Sequence, residues 1–297
     1  MSAVQASPGS VTRSSAGGWR STKSAIASVL MVASLVVAII PLVLIVGYVI
    51  ARGIDAISWA FLTDDIPILS RSEGPGMGPA VVGTLLITGA ATLMAVPLGV
   101  LGGIYLNEYS ARSALGRVVR FLAEVMTGVP SIVMGLFVYT IWVLRFGVSG
   151  FAGALALACL MLPVVIRTTE EMLKLVAPEL RESAYALGGR KAGTILRVVL
   201  PAAAPGIVSG ALLAVARAAG ETAPLLFTIL TVNETNTDLF HGPNTTLSVQ
   251  IFRNAQQVFT GPQDRAWGAA LTLITIVFIF TLLSRALSAA FARKHRV

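Results

Sequence analysis

RESAYALGGRKAGTILRVVLP, Arg181–Pro201, sets Arg181, Arg190, Lys191 and Arg197 between two long apolar runs. In a chain that is 55% hydrophobic and 12% charged, with a mean hydropathy of +0.81, this polar island is explained by what flanks it. Upstream, RTTEEMLKLVAPE (Arg167–Glu179) leads in. Leu173, Val176, Leu180, Ala184 and Leu187 then recur at three- and four-residue spacing, an apolar stripe on otherwise charged helices. Gly188 and Gly189 stop that helix, because glycine is the residue of the left-handed C-cap. A second short helix begins near Lys191 and runs into Leu200 and Pro201, where the next apolar run opens. The pattern predicts a helix, a tight turn and a second helix, projecting from a membrane.

Working outward, the uncharged runs are long enough to cross hydrocarbon, which takes about 20 apolar residues. They lie at Ala25–Ala51, within Gly74–Asn107, and at Val125–Leu144, Phe146–Ile166 and Ala266–Ser284. A further run from about Ala203 to Leu230 is broken only by Arg217 and Glu221. Their many Gly and Pro residues are tolerated in membrane helices. Six spans are expected, in an all-α integral membrane protein. The first apolar run is about twice the usual length of a cleavable signal's core, so it reads as an uncleaved anchor. The Ser-, Ala- and Gly-rich residues 1–24 before it read as a disordered tail. The expected organisation is that tail, a six-span transmembrane domain over 25–290, and a short tail at 291–297.

Basic residues set the orientation. Arg13, Arg20 and Lys23 precede the first run, and Arg52 and Arg71 follow it. Arg112, Arg117 and Arg120 come next, then Arg145 alone, then six between 167 and 202. Arg253 and Arg265 follow, and Arg285, Arg293, Lys294 and Arg296 end the chain. Rich and poor turns alternate, so the positive-inside rule puts both termini and the opening stretch in the cytoplasm of a multi-pass plasma (inner) membrane protein. The formal charge of +8 follows from topology and calls for no nucleic acid. Cys159 is the one cysteine and lies in an apolar run, so neither a disulfide nor a metal pair is expected. His241 and His295, the two histidines, sit in a loop and at the extreme C-terminus. No catalytic constellation and no metal site are expected. GGRKAGT (Gly188–Thr194) lacks the Gly-Lys-Ser/Thr of a phosphate loop, so any ATP is bound by another chain.

Two readings of the opening stretch follow from its pattern: a basic amphipathic loop lying on anionic lipid, or a docking knob for a partner. Glu182, Ala184 and Gly188, followed after nine residues by Val198, Val199, Leu200 and Pro201, resemble the EAA signature of ABC importer permeases. That signature is E-A-A, three residues, G, nine residues, I, any residue, L-P; here Ser183 replaces the second position and Val198 the Ile. VPSIVMGLF (Val129–Phe137), LNEY (Leu106–Tyr109), ARAAGETAPLLFT (Ala216–Thr228) and LSVQIF (Leu247–Phe252) are similar to the PstA-type permeases of phosphate-specific ABC importers. The likeness runs from about residue 75 to 285.

This resemblance implies a type I ABC importer (MetI-like) permease fold and a coupling loop at about 168–202. Glu182, Ala184, Gly188, Leu200 and Pro201 would dock and couple a separate ATPase. The implied assembly is a heterodimer with a PstC-type permease, a PstB-type ATPase dimer and a PstS-type phosphate-binding protein. No cofactor is expected on this chain; ATP and Mg would sit on the partner ATPase. The implied function is ATP-driven import of inorganic phosphate. Molybdate or sulfate import, and an ion-gradient-driven carrier or channel, are the competing readings.

Within the apolar runs, Arg217 and Glu221 stand four residues apart and share a helical face. They form either a self-satisfied ion pair or an arginine that serves an anion pathway and is oriented by its carboxylate. Thr84, Thr88 and Thr92 make a hydroxyl stripe, read as helix packing with bonds back to the helix, or as pathway lining. Pro130 and Ser131 interrupt the third run, as a plain kink or as a break that bares backbone groups to an anion. Gly99 with Gly103, and Gly206 with Gly210, have the spacing of close helix approach, expected to favour dimerisation with a second permease. Glu124 is expected to snorkel or to pair with Arg120.

Overall fold

Hydropathy of this order commits the backbone to helices, the one open-ended structure that satisfies its own polar groups in lipid. A computed structural model describes residues 17–68, 74–110 and 113–294, and it contains no strand among them. Arg13, Arg71, Arg112, His295 and Arg296 lie outside the described residues, as does most of the expected N-terminal tail.

In chain order the helices are α1 (Gly17–Gly53), α2 (Trp59–Thr63), α3 (Gly78–Ile104), α4 (Ala114–Gly128), α5 (Ser131–Val138) and α6 (Leu144–Phe146). They continue as α7 (Gly150–Lys174), α8 (Pro178–Ala186), α9 (Lys191–Thr194), α10 (Leu200–Gly220), α11 (Leu225–Thr228), α12 (Leu247–Ala255) and α13 (Thr260–Lys294). Three π-helical segments interrupt them, at Tyr105–Tyr109, Tyr139–Val143 and Ile195–Val199. Helix α1 begins before the expected boundary at residue 25 and, up to Tyr48, forms a unit of its own; the rest of the chain forms a second.

Five stretches are long and apolar enough to span: Lys23–Gly53, Gly78–Tyr109, Gly150–Lys174, Lys191–Gly220 and Thr260–Ala290. The sixth is the pair Ala114–Gly128 and Ser131–Phe146, bent by 106°. The expected continuous run Val125–Leu144 is therefore two helices. Val129 (φ −69°, ψ 128°) is extended, the geometry favoured before a proline, and Pro130 (φ −57°, ψ 134°) leaves the helical region with it. The run expected to reach Leu230 also stops early. Helix α10 ends at Gly220, Glu221 is extended (φ −70°, ψ 129°), and Pro224 opens the one-turn α11.

Helix α7 is the axis of the second unit, with α3 and α10 against it and α13 against α10 and α12. Small residues make this possible. A Cβ on Gly99 would meet the Val165 side chain at 2.7 Å, and one on Gly103 would meet Thr169 at 2.6 Å. Cβ atoms on Gly206 and Gly210 would strike Met172 and Thr168. All four glycines face α7 of their own chain, which corrects the expectation that they serve a second permease. Ile87, Ala91 and Ala95 of α3, Leu157 and Met161 of α7 and Val215 of α10 close the core with Leu225 and Ile229. In lipid such an interface is held by dispersion at short range, which is what small residues allow.

Candidate functional site

The two backbone breaks meet. A Cβ on Gly135 of α5 would lie 2.6 Å from Pro224, so α5 packs directly on the segment that follows α10. Beside this contact lies a cavity of about 330 Å³, several times the ~30 Å³ share of one water. Thr127, Val129, Pro130 and Ser131 line one side of it, Leu160, Met161 and Val164 of α7 another, and Arg217 and Glu221 a third. Four of the sequence-predicted pathway residues, Pro130, Ser131, Arg217 and Glu221, therefore share one chamber.

Arg217 occupies the last turn of α10 and Glu221 caps it. Among the described residues the guanidinium makes one polar contact, from Nε to Glu221 Oε1 at 3.5 Å. The Arg217 side chain is 77% exposed and that of Glu221 22%. One long contact occupies only Nε, so the guanidinium keeps donors for another anion. Helix α5 starts at the same cavity with Pro130 as its cap and no side chain capping it. Its first-turn amide groups add positive potential. Arg217 lies sixteen residues beyond Pro201, about 24 Å of helical rise from the coupling loop.

The threonine stripe goes elsewhere. Thr84 and Thr88 are buried within the chain, and neither is at the Arg217 chamber. Thr84 donates to the Ala80 carbonyl and accepts the Leu247 amide at 2.9 Å, joining α3 to the start of α12. Thr92 donates to the Thr88 carbonyl at 2.7 Å.

At the other end of α10 the opening stretch is helix, turn and helix. Gly188 is left-handed (φ +81°). Its amide donates to Tyr185 and that of Gly189 to Ala184, both at 2.9 Å, the two bonds of a Schellman cap. The apolar stripe divides: Leu173 and Val176 are buried, whereas Leu180 and Leu187 are exposed, Leu187 at 89%. Helix α8 has no buried residue. Leu200 and Pro201 begin α10, which grows out of α9 through the π segment Ile195–Val199.

An ionic lattice at this end was not visible from spacing. Glu170 accepts from Arg120 Nε and Lys174 Nζ, each at 2.7 Å, while Arg120 Nη2 donates to the Leu106 carbonyl at 2.8 Å. Glu124 lines the adjacent cavity of about 140 Å³ with these residues. Arg181 Nη2 reaches Glu108 at 3.0 Å. Lys174 and Glu170 are an i,i+4 pair, but Arg120 with Glu170 and Arg181 with Glu108 are 50 and 73 residues apart, beyond any local pattern. The one available signal was that Glu108 and Glu170 are carboxylates at the ends of apolar runs. Among the described residues no cluster of three or more His, Cys, Asp or Glu side chains could hold a metal ion.

Comparison with known proteins agrees with this architecture. The chain is 44% identical over 278 residues to the phosphate transport system permease protein PstA of Yersinia pestis, covering 93% of each. It is 43% identical to PstA 1 of Mycobacterium tuberculosis strain H37Rv, over 94% of this chain and 91% of that one. Among solved structures, an inward-facing MetNI methionine ABC transporter matches with a TM-score of 0.60 at 18% identity, over 71% of this chain and 94% of that one. A bacterial ABC transporter involved in import of the acidic polysaccharide alginate matches over 94% and 100%, with a TM-score of 0.56 at 16% identity. The fold is thus the MetI-like permease fold of type I ABC importers. Residues 95–297 match the model for the inner membrane component of binding-protein-dependent transport systems, and the chain belongs to that family, among its PstA-type permeases.

Proposed function

We propose that this chain is one permease half of an ATP-driven importer of inorganic phosphate, working beside a PstC-type permease, above a PstB-type ATPase dimer and below a PstS-type phosphate-binding protein. The observation that carries the proposal is Arg217, an exposed guanidinium at a break in α10 that faces a chamber started by the N-terminus of α5. A planar fork of donors suits phosphate oxygens. Glu221 keeps the site weak enough to release its anion, since conduction needs departure as well as entry. Pro130 and Ser131 open the chamber wall; Thr84, Thr88 and Thr92 support the helices around it. Family membership sets aside a gradient-driven carrier.

Coupling runs through Glu182 and Ala184 on α8, the Gly188 turn, and Leu200 and Pro201 at the foot of α10. ATP and Mg sit on the partner ATPase, and this chain performs no covalent chemistry. ATP closes the ATPase dimer, α8 carries the movement to α10, and the chamber opens toward the loaded binding protein; hydrolysis resets it. For this to work ATP must bind the outward-open state more tightly, otherwise it shifts nothing. Both termini and the coupling loop face the cytoplasm.

The test is uptake of radiolabelled phosphate at limiting concentration by cells lacking this chain, with and without the restored gene and with excess sulfate or molybdate. Restoration that neither competitor reduces is the expected result. Uptake that the deletion leaves intact, or that molybdate or sulfate displaces, would overturn the phosphate assignment.

A further inference from the structure

We propose that Arg181 is a positioning residue for coupling: it clasps α8 to the π-helical end of α3, so that force on α8 enters α3 and α7 together with α10. The proposal rests on α8 being the ATPase-docking helix. Its geometry is independent of that reading.

Arg181 lies in the first half of α8, and its side chain is only 20% exposed. The guanidinium divides its donors three ways. Nη1 donates to the Val176 carbonyl at 2.7 Å, and Nη2 to the Leu173 carbonyl at 2.8 Å and to Glu108 Oε1 at 3.0 Å. Leu173 lies in the last turn of α7 and Val176 just beyond it, where helix ends leave carbonyl acceptors to be satisfied from outside. Glu108 belongs to the π segment Tyr105–Tyr109, is 8% exposed, and also accepts from Asn107 Nδ2 at 2.8 Å. One side chain therefore ties three elements.

Burial does not seat α8. It has no buried residue; its Leu180 and Tyr185 are 46% and 44% exposed, and Leu187 at its C-cap is 89% exposed. Polar ties from Arg181 hold α8, and the following helix is tied to the same π segment: Lys191 Nζ of α9 stands 4.5 Å from the Tyr109 ring centroid. Arg120 takes up the Leu106 carbonyl of that segment from a third direction. A π turn holds one residue more than an α-helix and is a common place for function to act on a helix. Here it presents Glu108 to α8. A lysine in place of Arg181 could keep the carboxylate, but a single ammonium has no planar fork for two carbonyls beside it.

The experiment uses the complete transporter, both permeases with ATPase and binding protein, in proteoliposomes, with phosphate uptake and ATP hydrolysis measured in the same vesicles. Arg181→Gln and Glu108→Gln should each lower phosphate carried per ATP hydrolysed by roughly tenfold, a typical coupling factor, while the ATPase still copurifies. Arg181→Lys should fall between. An unchanged ratio in both glutamine variants overturns the clasp, and so does a proportional fall of uptake and hydrolysis, which marks a purely structural role. Should those variants fail to assemble, Glu108→Cys with Arg181→Cys in a Cys159→Ala background is assayed before and after joining by a bifunctional thiol reagent. Recovery of the ratio on joining is expected, and no recovery overturns the proposal. Leu187→Asp separates docking from the clasp. If it leaves the ATPase bound and the ratio normal, the docking reading fails; if it releases the ATPase while Arg181→Gln is silent, the clasp alone fails.

Discussion

Arg217 is held by position more than by partners. It rests in the last turn of α10, where the carbonyl end of a helix favours a cation, and its contact with Glu221 is open and long. Arg217→Gln should therefore abolish phosphate uptake while the complex assembles in normal amounts, checked by uptake and by copurification from the same membranes. Arg217→Lys should retain a part, because charge survives and the bidentate fork does not. Asp238, in the loop between α11 and α12, gives a pH prediction of opposite character. The backbone amide of Phe240 and the ring and amide of His241 hold its carboxyl below the usual carboxylate range. A carboxylate with a depressed native value stabilises above its unfolded value, and the contribution is lost as pH falls through the native one. Protection of the Phe240 and His241 amides from exchange, measured relative to an unstructured chain at the same pH, should thus be lost as acid protonates Asp238, and Asp238→Asn should remove that acid-dependent loss. At this scale the sequence was readable where a residue contradicts its surroundings, as Arg217 does in an apolar run. It was mute on Arg181 and Glu108, because neither is unusual until the fold brings them together.

Helices were legible in proportion to their length. Apolar runs of about 20 residues leave little choice, and the turn at Gly188 followed from a residue that takes positive φ without strain. The breaks were half legible. Pro130 announces irregularity, but a proline in a membrane helix can also kink without breaking, and the 106° bend depends on what packs there; the stop after Gly220 was not read from the sequence, which expected the run to continue to Leu230. Partner choice was the least legible property. The spacing of Gly99 with Gly103 and of Gly206 with Gly210 marks close approach, yet spacing carries no information on which helix approaches. In the fold it is α7 in all four cases. Gly210→Val should accordingly push α10 from α7 and cost about 1–3 kcal/mol, as overpacking does, seen as a lower melting temperature of the detergent-solubilised complex. Gly89→Ala in α3, where nothing lies within 4 Å, should be neutral or stabilising by up to ~1 kcal/mol.

Across the second unit, the ionic lattice around Glu170 and the polar chamber at Arg217 are joined by helices that share glycine-lined contacts with α7. Close contact makes this arrangement stiff, since packed interiors shift between discrete arrangements more readily than they deform. Stiffness is what a part needs if motion at α8 is to be felt about 24 Å further along α10. The breaks at Val129–Pro130 and after Gly220 have a consequence in the life of the newly made chain. Hydrocarbon offers nothing to backbone groups released from a helix, so irregular segments persist only where protein or water covers them. A chain inserted without its companions presents those segments to lipid and should behave as an orphan, recognised and removed by membrane proteases. Pulse-chase labelling should show a short half-life for the chain made alone and a long one when the second permease is made with it. Synthesis in matched amounts then becomes a condition of having any transporter at all, and the two openings in the backbone double as a test of whether assembly has taken place.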